Sequence, residues 1–394
     1  MRNEATRKFI QDHRFDDVRK VALQALPITD VDIPWALTQM EGRQRAENKI
    51  PSWYLYDEII YPPHLALEQC SSESTARYKA RLLSGDSLID LTGGFGVDFA
   101  FISGQFKEAY YVEKQKDLCE IAASNYAVLG LNSAKVIPAD AIGYLKNTSP
   151  VDVLFIDPGR RSNSGKKVFG IEEAEPDVLK IQDLLLEKAG TVLIKLSPML
   201  DISQALKQLK NVAEVHVVSL ENECKELLFL LKKNHAAEPL ITCVNLNKRN
   251  NQPEISFLLS QERAKAIDYT SEIEPYLYEP NTSLLKAGFY KGLTDLYPIR
   301  KFHPDSHLYT STLYIPDFPG RVFHTEAWTT FHKQELKRFL SDTNKASITV
   351  RNFPLSVAGL RKKLKIKEGG KRCIFATTLA NGKHILIKTF FFGQ

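Results

Sequence analysis

The segment SLIDLTGGFGVD, residues 87–98, constrains the fold of this chain more than any other. An apolar run closed by Asp90 is followed by a turn with three glycines, Gly93, Gly94 and Gly96, and then by the apolar spacing of a helix. Glycine permits positive φ and lets a ligand approach the main chain closely, and a helix start offers free N–H groups. The segment therefore predicts a strand, a tight turn and a helix that bind a polar, partly anionic small molecule.

The spacing within the turn indicates the class of ligand. A dinucleotide-binding fingerprint reads G-x-G-x-x-G, whereas this chain has D-x-T-x-G-x-G, with Asp90, Thr92, Gly94 and Gly96 at alternate positions. This pattern resembles motif I of class I S-adenosylmethionine (AdoMet)-dependent methyltransferases, with Thr92 in place of the usual first glycine. It is similar to the variant found in some ribosomal-RNA guanine methyltransferases. The resemblance implies that AdoMet is the cofactor and that Asp90 and the turn of residues 93–96 hold its methionine end.

Further cofactor contacts are expected at strand ends and before the turn. Glu113 closes the next apolar run about 20 residues after the turn, where an acid can accept both ribose hydroxyls. Asp140, with Ala141 beside it, resembles the motif III acid that binds the adenine amino group, and it is equally suited to cap a helix. SSESTA, residues 71–76, is similar to the T-P-E-x-x-A element that covers the cofactor in some RNA-cap and guanine-N2 methyltransferases. That similarity makes Thr75 a candidate contact, with an ordinary capped helix as the alternative.

The methyl acceptor is expected at DPGRR, which follows the apolar run VLFI. DPGRR takes the place of motif IV, typically D-P-P-Y in methyltransferases of nucleobase amino groups, where the acid binds the amine and the aromatic ring stacks on the flipped base. Asp157 and Pro158 are kept, whereas Gly159 and Arg160 replace the proline and the aromatic residue. Asp157 can still accept from an amine or act as a base. Arg160 and Arg161 can contact phosphate or base, and a solvated loop is the alternative.

A lysine inside an apolar strand is a further candidate. Lys195 lies in VLIKLS, where a buried ammonium group requires a partner. Pairing with Asp157 on the neighbouring strand would keep that acid ionised. The alternative is a strand end from which the lysine reaches solvent.

Strands and helices alternate after the N-terminal region, which predicts a parallel sheet. Strands are expected at 87–92, 109–113, 134–138, 151–157, 191–196, 214–220 and 226–231, with helices at 97–103, 116–129, 176–188 and 202–209. Only a hairpin can join the last two strands, so the seventh strand is antiparallel, which is the ending expected of a methyltransferase sheet. Two further strand-like runs, LITCVNL and EISFLL, extend or flank the sheet, and residues 261–280 are expected to be a linker.

Charge is distributed unevenly along the chain. The formal net charge is +5, but residues 281–394 contain 19 Lys and Arg against 7 Asp and Glu, a net +12 that leaves −7 for the first 280 residues. Within this part, LRKKLKIKEGGK, residues 360–371, has six basic residues and one acid and can form an electrostatic track for phosphates. A basic region beside an acidic one indicates a nucleic-acid partner. A solvated, lysine-rich surface is the alternative.

The segment from Ser347 onward resembles THUMP-like domains, RNA-binding modules found beside methyltransferases of tRNA. From about residue 50 to the end, EQCSSE-TA-YKA, DLTGGFGVD, DPGRR, KLSPMLD and NECKELL resemble a bacterial family of THUMP-like-domain methyltransferases. The resemblance implies an RNA substrate, tRNA or rRNA. The predicted fold class is α/β, a Rossmann-like seven-stranded methyltransferase sheet with an N-terminal helical region and a C-terminal α+β THUMP-like domain. The predicted domains are an N-terminal helical region (1–85), a methyltransferase domain (86–260), a linker with an α+β region (261–345) and a THUMP-like RNA-binding region (346–394).

Composition excludes several classes of protein. There is no run of about 18 apolar residues that would span a membrane, and the charged N-terminus is unlike a secretory signal. The five cysteines are scattered without a C-x-x-C pair, and the nine histidines show no metal-ligand spacing, which predicts a cytoplasmic enzyme with reduced thiols and no metal. Three alternatives stay open at this point: an NAD-linked oxidoreductase, an RNA-binding or assembly protein that keeps the fold without catalysis, and a methyltransferase of small molecules or proteins.

Overall fold

The computed structural model describes residues 3–24, 28, 30–160, 170–247 and 252–391. The chain divides into two compact units, of which the first comprises Met1–Ala213 and Leu227–Ala237 and the second Glu214–Glu226 and Glu238–Gln394. The boundaries of the four domains expected from the sequence stay predictions. No helix in the described ranges has the length and apolar character needed to cross a membrane.

The first unit begins with helices, as the sequence predicts for its first 85 residues. They are α1 (Glu4–Asp12), α2 (Val18–Gln24), α3 (Ile33–Lys49), α4 (Pro51–Tyr54), α5 (His64–Gln69) and α6 (Glu73–Leu82). Asp32 caps α3 by accepting the N–H of Trp35 at 3.1 Å. Pro34 fits the first turn of the same helix, because the N–H it lacks would have no partner there.

The seven strands expected from the sequence all form, and four predicted helices lie between them. The strands from here to the second unit are β1 (Ser87–Asp90), β2 (Glu108–Glu113), β3 (Ala134–Pro138), β4 (Val151–Ile156), β5 (Gly159–Arg160), β6 (Ala174–Glu175), β7 (Ala189–Leu196), β8 (Val212–Leu220) and β9 (Glu223–Lys232). The helices are α7 (Val97–Ser103), α8 (Lys116–Val128), α9 (Ala141–Asn147), α10 (Val178–Lys188) and α11 (Ile202–Gln208). The short ribbon of β5 and β6 was not expected from the sequence.

The sheet of the first unit has the order β3-β2-β1-β4-β7-β9. Neighbouring strands are parallel except β9, which is antiparallel to β7. The chain reverses between β8 and β9 at Glu221 and Asn222, both with positive φ. The predicted hairpin and the antiparallel last strand are thus confirmed. Because β1, β2, β4 and β7 are parallel, their carboxyl ends lie at one edge of the sheet, where ligands of such folds bind.

The second unit contains β10 (Leu240–Leu246) and β11 (Ile255–Leu258), which were expected as strand-like runs. β10 is parallel to β8 and antiparallel to β11. The remaining elements are α12 (Leu259–Ala264), β12 (Tyr276–Pro280), α13 (Thr282–Ala287), α14 (Leu293–Leu296), β13 (Arg300–Lys301), β14 (Tyr309–Ser311), β15 (Gly320–Thr329), α15 (Lys333–Phe339), β16 (Ser347–Arg351), α16 (Val357–Leu364), β17 (Arg372–Thr378) and β18 (His384–Phe391).

A seven-stranded sheet with the order β13-β14-β12-β15-β18-β17-β16 forms the core of this unit. One face packs against α15 and α16 through Ile348, Leu360, Ile374 and Leu386. The other face carries a second core that includes Leu277, Phe323, Phe375 and Ile387.

The prediction of a linker at residues 261–280 is wrong for part of that stretch. Tyr276–Pro280 forms β12, which pairs antiparallel with both β14 and β15. Its residues Leu277 and Tyr278 are fully buried. The Glu, Tyr and Pro content suggested an extended connection, but the N–H that Pro280 lacks falls at the end of the strand, where its loss is tolerated.

Candidate active site

The turn after β1 is shaped by two tyrosines that pack against it. A Cβ on Gly93 would overlap the ring of Tyr111, and a Cβ on Gly96 would overlap the hydroxyl of Tyr126. The hydroxyl of Tyr111 donates to the carbonyl of Gly94 at 2.5 Å, and that of Tyr126 to the carbonyl of Gly96 at 3.2 Å. Burial raises the pKa of both phenols, so they act as donors. The two tyrosines therefore fix the conformation of the turn. Within it, Gly94 and Gly96 adopt φ of 56° and 82°.

Glu113 lies beside this turn, as its place at the end of β2 predicts. One carboxylate oxygen accepts from the N–H of Gly94 at 3.0 Å, and the other accepts from Gln115 at 2.9 Å. The residue is 8% exposed. These two bonds hold the carboxylate at the mouth of the turn, where a ribose contact was predicted.

Asp90 lies under the turn and is 1% exposed. Its Oδ1 accepts from the N–H of Thr92 at 2.9 Å. Burial, together with the negative charges of Asp98, Asp157 and Glu113, raises the pKa of Asp90 well above its usual value. A group of acids at this density is complementary to a ligand that carries positive charge.

Thr92, the residue that departs from the usual glycine, joins the turn to the start of DPGRR. Its Oγ1 accepts from the main-chain N–H of Asp157 at 2.6 Å. A glycine at this position could not make the bond. The threonine therefore couples the carboxyl ends of β1 and β4.

Asp157 directly follows β4 and pairs with Lys195 on β7. The Nζ of Lys195 lies 2.5 Å from Oδ2 of Asp157, so the predicted ion pair forms and Lys195 does not extend to solvent. The carboxylate is 36% exposed and the lysine side chain 13%. After half-buried Pro158, Gly159 and Arg160 form β5, which pairs with β6. Arg161 lies outside the described residues.

Three buried polar residues of this site were missed by sequence reasoning. Asp98, in the first turn of α7, accepts from Ser71 Oγ at 2.7 Å and lies 3.1 Å from Nζ of the fully buried Lys79. Lys195 completes the group, 3.2 Å from Ser71 Oγ and 3.6 Å from Asp98 Oδ2. Burial opposes ionisation of Asp98, but the two lysines outweigh burial and lower its pKa. Lys79 follows Ala76 by one helical turn on α6, and a lysine on that small, apolar face was the available signal.

The other predicted cofactor residues lie at the ends of helices. Asp140 is exposed and caps α9 by accepting from the N–H of Gly143 at 2.8 Å, with Ala141 as the first helical residue. Thr75 is buried, and its hydroxyl donates to the carbonyl of Ser72, the N-cap of α6. Both residues thus have a capping role, and their contacts with cofactor stay predictions.

The N-terminal helices pack against the turn. Trp53 meets the ring of Phe95, which is part of the turn, edge-on at 5.2 Å, and Tyr61 lies within 6.3 Å of the same ring. Asn125 on α8 exchanges two hydrogen bonds with the main chain of Ile60, at 2.8 and 2.9 Å. The N-terminal region is therefore part of the wall of the site.

A parallel sheet that ends in a reversed strand, with a glycine turn after β1 and acids after β2 and β4, is the arrangement of a class I AdoMet-dependent methyltransferase. Residues 320–389 match the family described as THUMP domain-like, and residues 276–319 match a ferredoxin-like domain family. The crystal structure of a candidate methyltransferase from Porphyromonas gingivalis W83 is 33% identical, covers 99% of this chain and 98% of that chain, and has a TM-score of 0.86. An uncharacterized S-adenosylmethionine-dependent methyltransferase of Mycobacterium tuberculosis is 22% identical over 373 residues, 89% of this chain and 94% of the relative.

The chain belongs to the family of AdoMet-dependent methyltransferases that carry a C-terminal THUMP-like domain. Its cofactor is AdoMet, and the alternative of an NAD-linked oxidoreductase is discarded. The residues present fit this cofactor. The charges of Asp157 and Glu113 make ionisation of the buried Asp90 unfavourable, and the positively charged sulfonium and ammonium groups of AdoMet would offset this cost. An added Cβ on Gly94 would meet little but solvent, so the turn has open space beside it for the cofactor.

Proposed function

We propose that this enzyme transfers the methyl group of AdoMet to a nitrogen of a base in tRNA or rRNA. The observation that carries the proposal is the position of Asp157. Its N–H bonds to Thr92 of the cofactor turn, and its carboxylate pairs with Lys195 at 2.5 Å. One hydrogen-bonded frame thus joins the cofactor turn to an acid suited to orient the acceptor.

The proposed cofactor contacts follow the predicted residues. Asp90 and the turn of Thr92, Gly93, Gly94 and Gly96 hold the methionine end, and Glu113 holds the ribose. Asp140 and the N–H of Ala141 bind the adenine, and Thr75 lies in the helix that covers the cofactor.

The carboxylate of Asp157 suits an acceptor that carries N–H groups. An ionised carboxylate only accepts hydrogen bonds, and Lys195 occupies Oδ2, so an amine can donate to the remaining oxygen. Methylation of a base carbon by way of a cysteine adduct would require a thiolate. Cys70 interacts with the charges of Asp98 and Lys195, but burial raises the pKa of its thiol to about 11.

Methyl transfer from AdoMet depends mainly on how the acceptor is positioned. AdoMet supplies an electrophilic methyl group, and displacement requires the attacking nitrogen in line with it. A fixed geometry of this kind can contribute several kcal/mol, of the order of 10 at most. Asp157 orients the amine and can take the proton that the nitrogen releases, while Lys195 and Thr92 keep the carboxylate in place. Arg160 and Arg161 are proposed to contact base or phosphate.

The second unit supports an RNA substrate. The basic segment, residues 360–371, presents Lys362, Lys363, Lys365, Lys367 and Lys371 to solvent. Leu360, Leu364 and Ile366 turn inward and are buried, so the lysines project from a packed helix and the turn that follows it. Such a track binds phosphates regardless of sequence, and the THUMP-like match covers the same segment.

Methyl transfer to RNA can be tested directly. The full-length protein is incubated with tritium-labelled AdoMet and total RNA from cells that lack the gene, and the digested nucleosides are separated. Label in one N-methylated nucleoside, lost with Asp157→Ala but kept with the exposed control Glu108→Gln, is the expected result. Label in protein or small molecules, or none despite AdoMet binding, would overturn the RNA proposal.

A further inference from the structure

A buried carboxylate joins two arginines on the second sheet. Glu279 is 2% exposed and accepts from Nε of Arg321 at 2.9 Å and from Nη2 of Arg351 at 2.8 Å. Arg321 lies on β15 and Arg351 ends β16, with β18 and β17 between them in the sheet. Two guanidinium groups share one carboxylate, so the cluster keeps an excess of positive charge.

The two arginines retain capacity for another acceptor. Their side chains are 43% and 36% exposed for Arg321 and Arg351, respectively. In the described part of the chain, Nε of Arg351 is buried and has no hydrogen-bond partner. A buried donor without a partner is unfavourable, so Glu279 does not satisfy this guanidinium completely.

Other arginines of the same unit are balanced by acids. Arg300 contacts Glu272 at 2.8 Å and Glu274 at 2.6 Å. Arg372 contacts Glu326 at 2.8 Å and Asp342 at 2.9 Å. Each of these arginines contacts two carboxylates. At Glu279 the ratio is reversed, because two arginines contact one carboxylate, and an ion pair that only joins strands does not require this excess of positive charge.

We propose that Arg321 and Arg351 bind a phosphate of the RNA backbone. Guanidinium groups match phosphate oxygens in geometry as well as charge. Arg351 follows Val350, which packs towards α16, so the alternation of the strand places Arg351 on the opposite face. This phosphate site is thus separate from the basic segment. The inference rests on the proposed RNA substrate.

Trp328 identifies the form of RNA. It is 54% exposed and lies opposite Ile387 on β18, on the same face as the core of Phe323 and Phe375. An exposed indole stacks on unpaired bases of any sequence. We therefore infer that the RNA bound by this unit is single-stranded.

The test measures binding of the full-length protein to a short fluorescein-labelled single-stranded RNA between about 50 and 200 mM salt. Arg321→Met and Arg351→Met are each expected to weaken binding about tenfold and to reduce the slope of log K against log salt by about one. Arg372→Met is the matched control, because it also breaks a strand-joining ion pair and is expected to keep the slope. Trp328→Ala is expected to weaken binding about tenfold with the slope unchanged. Arg351→Lys, which keeps the charge, should recover the slope but only part of the affinity.

The outcomes separate this inference from the proposed function. If the unmodified protein binds no RNA, the RNA substrate is overturned together with this site. If it binds RNA but Arg321→Met and Arg351→Met keep its affinity and salt slope, only the phosphate site is overturned. Loss of slope in Arg372→Met to the same extent would also overturn it, because a general effect on the sheet would then explain all three variants. A duplex RNA bound as tightly as the single strand, with no effect of Trp328→Ala, would overturn the assignment to unpaired RNA.

Discussion

The Nζ of Lys195 lies 2.5 Å from Oδ2 of Asp157 and 3.6 Å from Oδ2 of Asp98. One ammonium group thus contacts the acid that follows β4 and the acid in the first turn of α7, after the glycine turn. The proposed acceptor side and the proposed cofactor side of the site therefore share a cation.

Replacing Lys195 by Met should impair methyl transfer more than cofactor binding. The variant removes the group that orients the Asp157 carboxylate, and loss of an oriented acid or base typically costs a factor of about 100 or more in rate. We expect kcat to fall by about that factor, with the Kd for AdoMet within about threefold of the unmodified enzyme, because the proposed cofactor contacts of Glu113 and the turn remain. Lys195→Arg should restore part of kcat. Equal losses in kcat and in AdoMet affinity would show that Lys195 acts mainly by supporting the turn.

Replacing Asp98 by Asn should destabilise the first unit. The change removes the negative charge 3.1 Å from Nζ of Lys79, which is fully buried, and breaking a buried ion pair costs about 3–5 kcal/mol. Since the folded state lowers the pKa of Asp98, its contribution is present above the pKa of an unfolded aspartate, about 3.9, and is lost as pH falls through the folded pKa. Thermal unfolding against pH should therefore show a gap between variant and parent that narrows below about pH 4. The double variant Lys79→Met/Asp98→Asn should lose less than the sum of the single changes.

Asp90 should couple AdoMet binding to proton release. Burial and neighbouring acids raise its pKa, and a cationic ligand nearby would lower it again, so a proton leaves on binding. Calorimetry in two buffers of different ionisation enthalpy should give different apparent binding enthalpies, and AdoMet affinity should fall as pH is lowered. Identical apparent binding enthalpies in both buffers would contradict the release of a proton from Asp90 on AdoMet binding.

The raised pKa of Asp90 also predicts how the stability of the Asp90→Asn variant depends on pH. The contribution of a group with a raised folded pKa is fully present below its unfolded pKa and is lost as pH rises through the folded pKa. An asparagine can keep the bond to the N–H of Thr92 without carrying charge. The cofactor-free variant should therefore become more stable relative to the parent as pH rises, although it binds AdoMet more weakly. If the difference in stability between Asp90→Asn and the parent does not depend on pH, Asp90 does not titrate with a raised pKa in the folded protein.

Replacing Gly96 by Ala should distort the turn. The residue has a φ of 82°, and its Cβ would overlap the hydroxyl of Tyr126. The left-handed backbone and the overpacking together are expected to cost about 2–4 kcal/mol and to abolish AdoMet binding. Gly104→Ala is the matched control, because it lies at the other end of α7 with φ of −61° and an open space around its Cβ. Equal effects of the two substitutions on urea unfolding would contradict this account.

Local patterns were sufficient where neighbouring residues determine the structure. The run SLID, three glycines and an apolar helix predict β1, the turn and α7, because each step follows from strand alternation, positive φ and helical spacing. The acid that closes β2 could be placed beside the turn for a related reason, since parallel strands end at one edge of the sheet. The pairing of Lys195 with Asp157 followed from the cost of burying a lone charge in a strand.

Local patterns failed where distant residues determine the structure. The linker expected at residues 261–280 contains β12, because its partners β14 and β15 lie about 30 to 50 residues further along the chain and compensate for a composition that disfavours a strand. Thr92 looked like a departure from the glycine of the motif, and only its bond to Asp157 gives it a role.

The sequence by itself determined the order of the seven expected strands and the helices between them, the glycine turn after β1 and the uneven charge of the chain, since these follow from spacing and composition. Only the tertiary structure brought Ser71, Lys79, Asp98 and Lys195 together, and Glu279 with Arg321 and Arg351. The reason is physical. Burial makes each of these charges costly unless a partner is present, and the partners come from elements far apart in the chain, so their pairing depends on how the elements pack.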